Sequence, residues 1–184
     1  ATQPGPAAYG SGQGYVTHLP PEYFAAGITS VRTDVFAAGV TLFRAVNNVS
    51  DWHAVVASTP QAGCHIEKGT LLKEIGYAAH VPTPVVRIVN KACEADASKR
   101  YQTAAAFGQK LDALRFGIDW VRTSPTEWIG SDGVSTFEAM VDLIKQELVV
   151  KKNGRRVGAD CAKCQSAANA IAALERHVAS TTLV

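Results

Sequence analysis

The sequence predicts an α+β fold: a mostly helical part over residues 14–117, then a small antiparallel β-sheet module over 118–184 with one covering helix. Three observations carry this. Thr33–Asn47 is apolar in nearly every direction around a helical turn, the mark of a buried helix. Thr136–Leu143 alternates apolar and polar residues, and Asn153-Gly154 follows between two further runs, as in a hairpin. Residues 160–179 are alanine-rich, with Ala167, Ala170, Ile171, Leu174 and Val178 along one helical stripe. At 47% hydrophobic and 18% charged, a chain of 184 residues can bury a core, which excludes disorder for its bulk. Its 15 Gly and 8 Pro follow no pattern, which excludes a collagen-like or mucin-like chain.

In chain order, residues 1–13 are mostly Gly, Pro, Ala, Ser and Gln with no apolar period, and predict a flexible arm. Thr33 is the expected N-cap of the central helix, with Asp34 at the positive end of its dipole. A short helix is expected over 52–58, and 60–81 reads as loop with one helical turn near Leu71–Glu74. Pro82 and Pro84 announce a helix carrying Val85, Ile88, Val89 and Ala92. Thr103 caps the last helix of this part, 103–115, where Phe107, Leu111 and Leu114 recur at helical spacing. In the second part, Phe137, Ala139, Val141 and Leu143 share one strand face, and the 160–179 helix covers the sheet. Trp120 and Trp128 read as core or interface anchors rather than base-stacking platforms.

Charge and cysteine usage narrow the function classes. Net charge is +2, and residues 118–184 balance eight Lys and Arg against eight Asp and Glu, so nucleic acid is not an expected partner despite the basic hairpin 151–156. No apolar run is long enough to span a membrane, and no basic head precedes an apolar run at the N-terminus. Four cysteines, Cys64, Cys93, Cys161 and Cys164, are too few for a disulfide scaffold; reduced thiols and a cytoplasmic location are expected. Cys161 and Cys164 form a lone C-x-x-C without two further ligands for zinc, and read as helix neighbours on one face. His18, His53, His65, His80 and His177 show no partner spacing and read as structural or exposed, so no metal site is expected.

Four features of residues 14–115 occur in a fixed order. Pro20-Pro21-Glu22 follows the loop Gly14–Leu19; Asp34 and Gly39 lie on the apolar helix; Asp96-Ala97-Ser98-Lys99-Arg100 comes next; the 103–115 helix closes the set. Together they resemble the C-terminal part of the large lobe of a protein kinase, of the eukaryotic-like Ser/Thr type found in bacteria. Pro20-Pro21-Glu22 is similar to the Ala-Pro-Glu motif that ends the activation segment, Asp34 and Gly39 to the D-x-x-x-x-G of the central helix, and Asp96–Arg100 to D-P-x-x-R. The resemblance implies that Arg100 pairs with the Glu22 carboxylate, and that Asp34 receives hydrogen bonds from the catalytic loop. Residues 1–13 become the end of the activation segment, and Tyr15, Thr17 and His18 the loop that receives the protein substrate. Ser11 and Thr17 become candidate phosphosites, against the plainer reading of ordinary loop hydroxyls. The chain departs from the family at Tyr15, where Thr is usual, at His18, where Tyr or Trp is usual, at Pro20, where Ala is usual, and at Ala97 and Tyr101, where Pro is common.

The phosphate-covering Gly loop, the strand lysine, His-Arg-Asp and Asp-Phe-Gly are all missing from these residues. No catalytic residue, cofactor or metal is therefore expected in this chain, and alone it should be inactive. A full-length parent would use ATP and magnesium to phosphorylate protein hydroxyls. This chain would supply its substrate-side scaffold and, in 118–184, a regulatory or interaction module. The alternative is a non-catalytic protein-binding scaffold derived from a kinase lobe. The expected partners are the parent's protein substrate, the missing N-terminal kinase portion, and a second copy through self-association. That last follows if Phe36, Val40 and Phe43 lose the cover of the missing portion.

Overall fold

The computed structural model describes residues 8, 9 and 15–184. Contacts divide the α+β chain into two units, one running to Ala78 and resuming over Thr83–Ala113, the other made of Ala79–Pro82 and Leu114–Val184. Most of the expected flexible arm lies outside the described residues, but Ala8–Tyr9 form a short strand, β1, paired antiparallel with β2, Ile28–Thr29.

The first unit is built on helices α1 (Pro21–Ala26), α2 (Val31–Val46), α3 (Trp52–Ser58), α4 (Ala62–Glu67), α5 (Leu71–Ile75), α6 (Thr83–Ala92) and α7 (Ala104–Asp112). Helix α2 begins earlier than expected. Ser30, not Thr33, is its N-cap, and Thr33 completes a capping box by accepting from the Ser30 N–H at 3.0 Å. Nor is α2 buried on all sides. Val35, Phe36, Val40 and Phe43 are almost completely covered, so the expected loss of cover at Phe36, Val40 and Phe43 does not occur. The open face is instead Val31, Asp34, Ala38, Thr41 and Ala45, spaced three and four apart.

Helices α2, α6 and α7 pack on one another. Pro84 sits in the first turn of α6, where its missing N–H leaves no bond unmade. Val85, Ile88, Val89 and Ala92 form the buried stripe of that helix. Thr103 caps α7 by accepting from the Ala106 N–H at 3.0 Å, and the helix ends at Asp112, short of Leu114. The sequence reading had no place for α4, whose N-cap Gln61 takes a left-handed φ of 51° that its residue type does not announce.

The second unit is an antiparallel sheet of six strands: β3 (Asp119–Ser124), β4 (Glu127–Ser131), β5 (Thr136–Asp142), β6 (Glu147–Lys152), β7 (Arg155–Arg156) and β8 (Ala162–Lys163). Its order is β3-β4-β5-β6-β7, with β8 also paired to β6. Helix α8, Ala167–Thr182, starts later than expected, at the N-cap Ser166. Trp128, Ala139 and Val150 lie side by side across three strands, where the large ring faces the smallest side chain. They form one core with Val141 and Leu148 from the sheet and Ala170, Leu174 and Val178 from α8. Asn153 and Gly154 both have positive φ, 50° and 74°, the backbone a two-residue hairpin turn requires.

Two further expectations need correction. Leu143 leaves the β5 face and lies exposed in a turn, because the Asp142 carboxylate accepts from the Ile144 and Lys145 N–H groups and reverses the chain there. Cys161 and Cys164 flank β8 and are not on a helix; both are free thiols. Strands β3 and β4, a hairpin turning at Pro125 and Thr126, were not resolved by periodicity. No helix among the described residues is long and apolar enough to cross a membrane.

Candidate functional site

The residues singled out at 15–22, 34, 39 and 96–100 all belong to the first unit. A single 3₁₀ turn, Val16–His18, leads through Leu19 into α1, where Pro21 occupies the first helical position. Glu22 therefore sits in the first turn of α1 with its carboxylate turned to Arg100. The Arg100 Nη1 and Nη2 donate to its two oxygens at 2.7 and 2.8 Å, a bidentate pair. The remaining donors are also used: Nε on the Glu94 carbonyl at 2.6 Å, Nη1 on that of Arg32 at 3.1 Å, and Nη2 on that of Ala95 at 3.0 Å. The guanidinium also lies over the Phe36 ring, 4.9 Å from its centre. Its side chain is wholly excluded from water, whereas 23% of the Glu22 side chain is exposed. One arginine thus ties α1, the start of α2 and the turn after α6 together.

Asp96 shapes the turn that presents Arg100. Its Oδ1 accepts from the Ser98 hydroxyl at 2.7 Å and the Ser98 N–H at 2.9 Å. These two bonds, in that order, hold its carboxyl below the usual carboxylate range. Ala97 and Ser98 follow inside a 3₁₀ turn, Ala97–Lys99.

Gly39 has a steric reason. A Cβ there would meet the Cys93 Sγ at 2.5 Å and the Ala92 Cβ at 2.8 Å, so glycine lets α2 close on α6. Burial pushes the Cys93 thiol up to about 12, which makes it an inert packing group. Beside it opens a cleft of about 380 Å³ lined by Leu72, Lys73, Tyr77, Asn90, Cys93 and Glu94. Asp34 is exposed on the open face of α2, and its carboxylate makes no hydrogen bond or ion pair among the described residues.

The expected substrate loop carries a second polar grouping of this unit. Tyr15 is exposed, Thr17 half-buried and His18 buried. Three residues that the sequence reading did not join to them complete the group: Arg44 in the last turn of α2, and Trp52 and His53 at the start of α3. The Trp52 Nε1–H donates to the Thr17 hydroxyl at 2.8 Å, and Thr17 contacts the His18 Nδ1 at 3.2 Å. The Tyr15 hydroxyl bonds the His53 Nε2. The Tyr15 ring meets those of His18 and His53 edge-on, with centres 5.0 and 5.3 Å apart. Arg44 Nη1 approaches the His18 Nε2 at 3.5 Å, and its guanidinium lies 5.6 Å from the Trp52 ring centre. Burial, aided by the Arg44 charge, lowers His18 to about 4, so this imidazole is neutral at ordinary pH.

Ser11 lies outside the described residues. Thr17 accepts from the Trp52 indole, which ties its hydroxyl to the start of α3. The other histidines are dispersed: His65 bonds the Thr70 hydroxyl, while His80 and His177 pack on Trp128 and Trp120 in the second unit. No group of three or more His, Cys, Asp or Glu among the described residues could hold a metal ion. Comparison with protein-family models, with curated proteins and with solved structures finds no match for the chain.

Proposed function

We propose that this chain is the substrate-side part of the large lobe of a Ser/Thr protein kinase, carrying an appended α+β module at 114–184. The observation that carries the reading is the Glu22–Arg100 pair. Two residues far apart in sequence, each part of a family-like motif, form a bidentate bond in which the Arg100 side chain is wholly shut off from water. Two further features support it. Gly39 is needed for the α2–α6 approach, and Asp34 opens on an uncovered stripe where the family's catalytic loop would dock. The chain itself holds none of the groups that bind ATP or magnesium, so phosphoryl transfer belongs to the longer parent. Its bacterial origin and cytoplasmic location belong to the same reading.

Reading the parent gene upstream of the codon for Ala1 tests this. A His-Arg-Asp and Asp-Phe-Gly set, with phosphotransfer from Mg-ATP by the longer protein, supports the kinase. Their absence leaves a non-catalytic protein-binding scaffold. Calorimetric titration of the present chain with Mg-ATP is expected to show no binding; stoichiometric binding would overturn the assignment.

A further inference from the structure

Two arginines of the first unit, Arg100 and Arg44, are treated very differently. Every donor of Arg100 is bonded. Arg44 has a buried Nε with no acceptor among the described residues, and no carboxylate there lies within ion-pair distance of it. Residues 1–14 contain no Asp or Glu and cannot supply one. Asp51, the nearest acid in sequence, spends its Oδ1 on the Ala54 N–H as the N-cap of α3.

What surrounds Arg44 is neutral. Its guanidinium faces the Trp52 ring, and the His18 Nε2 beside it can only accept from an arginine, which leaves the His18 proton on Nδ1 toward Thr17. At the outer edge, Tyr15 and His53 are both exposed and joined to each other, so the hydroxyl and imidazole can reach a visitor. Arg44 is half-buried with its Nε shut off from water; burying that part of a guanidinium without a counter-ion costs the fold, and pairing it with an anion recovers part of that cost. A planar, forked donor beside aromatic walls also fits a two-oxygen anion better than a point charge would.

We propose that Arg44, set against His18 and Trp52 with the Tyr15–His53 pair packed on His18, receives a compact oxyanion: a carboxylate or phosphoryl group carried by a peptide segment. The cation and its walls stand on this chain alone. That the anion arrives on a peptide rests on the kinase-lobe reading above.

The test is ¹H–¹⁵N spectroscopy of the intact chain, following the Arg44 Nε–H and the Trp52 indole. Three probes are used at low ionic strength: a Glu-containing peptide, its Gln counterpart and inorganic phosphate. The expected result is a saturable shift of both signals with the Glu peptide and none with the Gln peptide. Phosphate should shift the same signals more weakly and compete with the Glu peptide. If phosphate binds there and the Glu peptide does not, the site takes a free ion and the peptide assignment falls. If neither moves the two signals, the site itself is refuted. Arg44→Gln should weaken the peptide at least about tenfold, while Arg44→Lys keeps the charge and loses less. The unsubstituted chain already decides the contact should Arg44→Gln fail to fold. Binding without kinase motifs upstream would leave the site standing and remove the kinase reading; an active parent kinase without this binding would do the reverse.

Discussion

Removing Arg100 should damage the first unit more than any surface change can. Arg100→Met keeps most of the aliphatic volume but strands the Glu22 carboxylate and the carbonyls of Glu94, Ala95 and Arg32. Breaking a buried pair from one side costs about 3–5 kcal/mol. Because 23% of the Glu22 side chain is exposed, water reaches the freed carboxylate, which places the loss near about 3 kcal/mol. Glu22→Gln turns one acceptor into an N–H₂ facing another donor and should cost about 2 kcal/mol. The double variant has no stranded charge and should cost no more than Arg100→Met alone, so the coupling is at least about 2 kcal/mol. The assay is urea titration followed by the three indole signals, since Trp52 reports the first unit and Trp120 and Trp128 the second. Coupling below about 0.5 kcal/mol would refute the account of Arg100 as the tie between α1, α2 and the turn after α6.

Other outcomes follow from the same packing. Gly39→Ala should destabilise the first unit by about 1–3 kcal/mol, despite the better helix propensity of alanine, and adding Cys93→Ala should recover part of the loss in the same titration. His18 binds its proton near 6.5 when unfolded and near 4 when folded, so the unfolded chain holds more protons between those values. Its contribution is complete above about pH 6.5, is lost as pH falls toward 4, and amounts to about 2 kcal/mol after solvent screening; His18→Gln should flatten this part of the Trp52 stability profile. Gly154→Ala forces a side chain onto a φ of 74° and should cost about 1 kcal/mol, read from the Trp128 signal with the first unit unchanged. Asp34→Asn should leave stability of this chain within about 0.5 kcal/mol yet abolish phosphotransfer in a parent that carries the catalytic loop.

Much of this was legible where the signal is local. Thr103 needs only the next three residues to cap α7, and Asn153-Gly154 sets its turn by its own positive φ. The α8 stripe is readable because one neighbour, the sheet, covers it. The α2 pattern misled because alanine and glycine score as apolar without demanding burial: Ala38 and Ala45 face water while Gly39 lies at the tightest helix contact. The Glu22–Arg100 pair joins residues with |i−j| of 78, and no periodicity reaches that far; only the order of the motifs suggested it. The group at Arg44 was invisible for a different reason. Asn48 takes a left-handed φ of 54° after α2, and the reversal brings Trp52 back onto the end of that helix, with His53 beside it on Tyr15. Five scattered histidines give no hint that two of them will meet one tyrosine.

The open face of α2 bears on which functional reading is the stronger. A scaffold serving only its own contacts would gain by ending α2 in polar residues along its wet side. Here that side carries Val31, Ala38 and Ala45 seven residues apart, with Asp34 and Thr41 between them. Small residues in a seam let another backbone approach closely, and an unpaired carboxylate within the seam is suited to receive N–H groups from that backbone. The opposite face is already closed by Phe36, Val40 and Phe43 against the rest of the unit, so the seam is not needed for the fold of this chain. The tie at Arg100 fixes the start of α2, and Gly39 fixes its depth, which together hold Asp34 at a constant position relative to the receiving loop. A rigidly placed, unpaired acceptor on the open face of α2 is the feature on which the proposed kinase-lobe reading would draw, and the Asp34→Asn variant of a longer parent tests it.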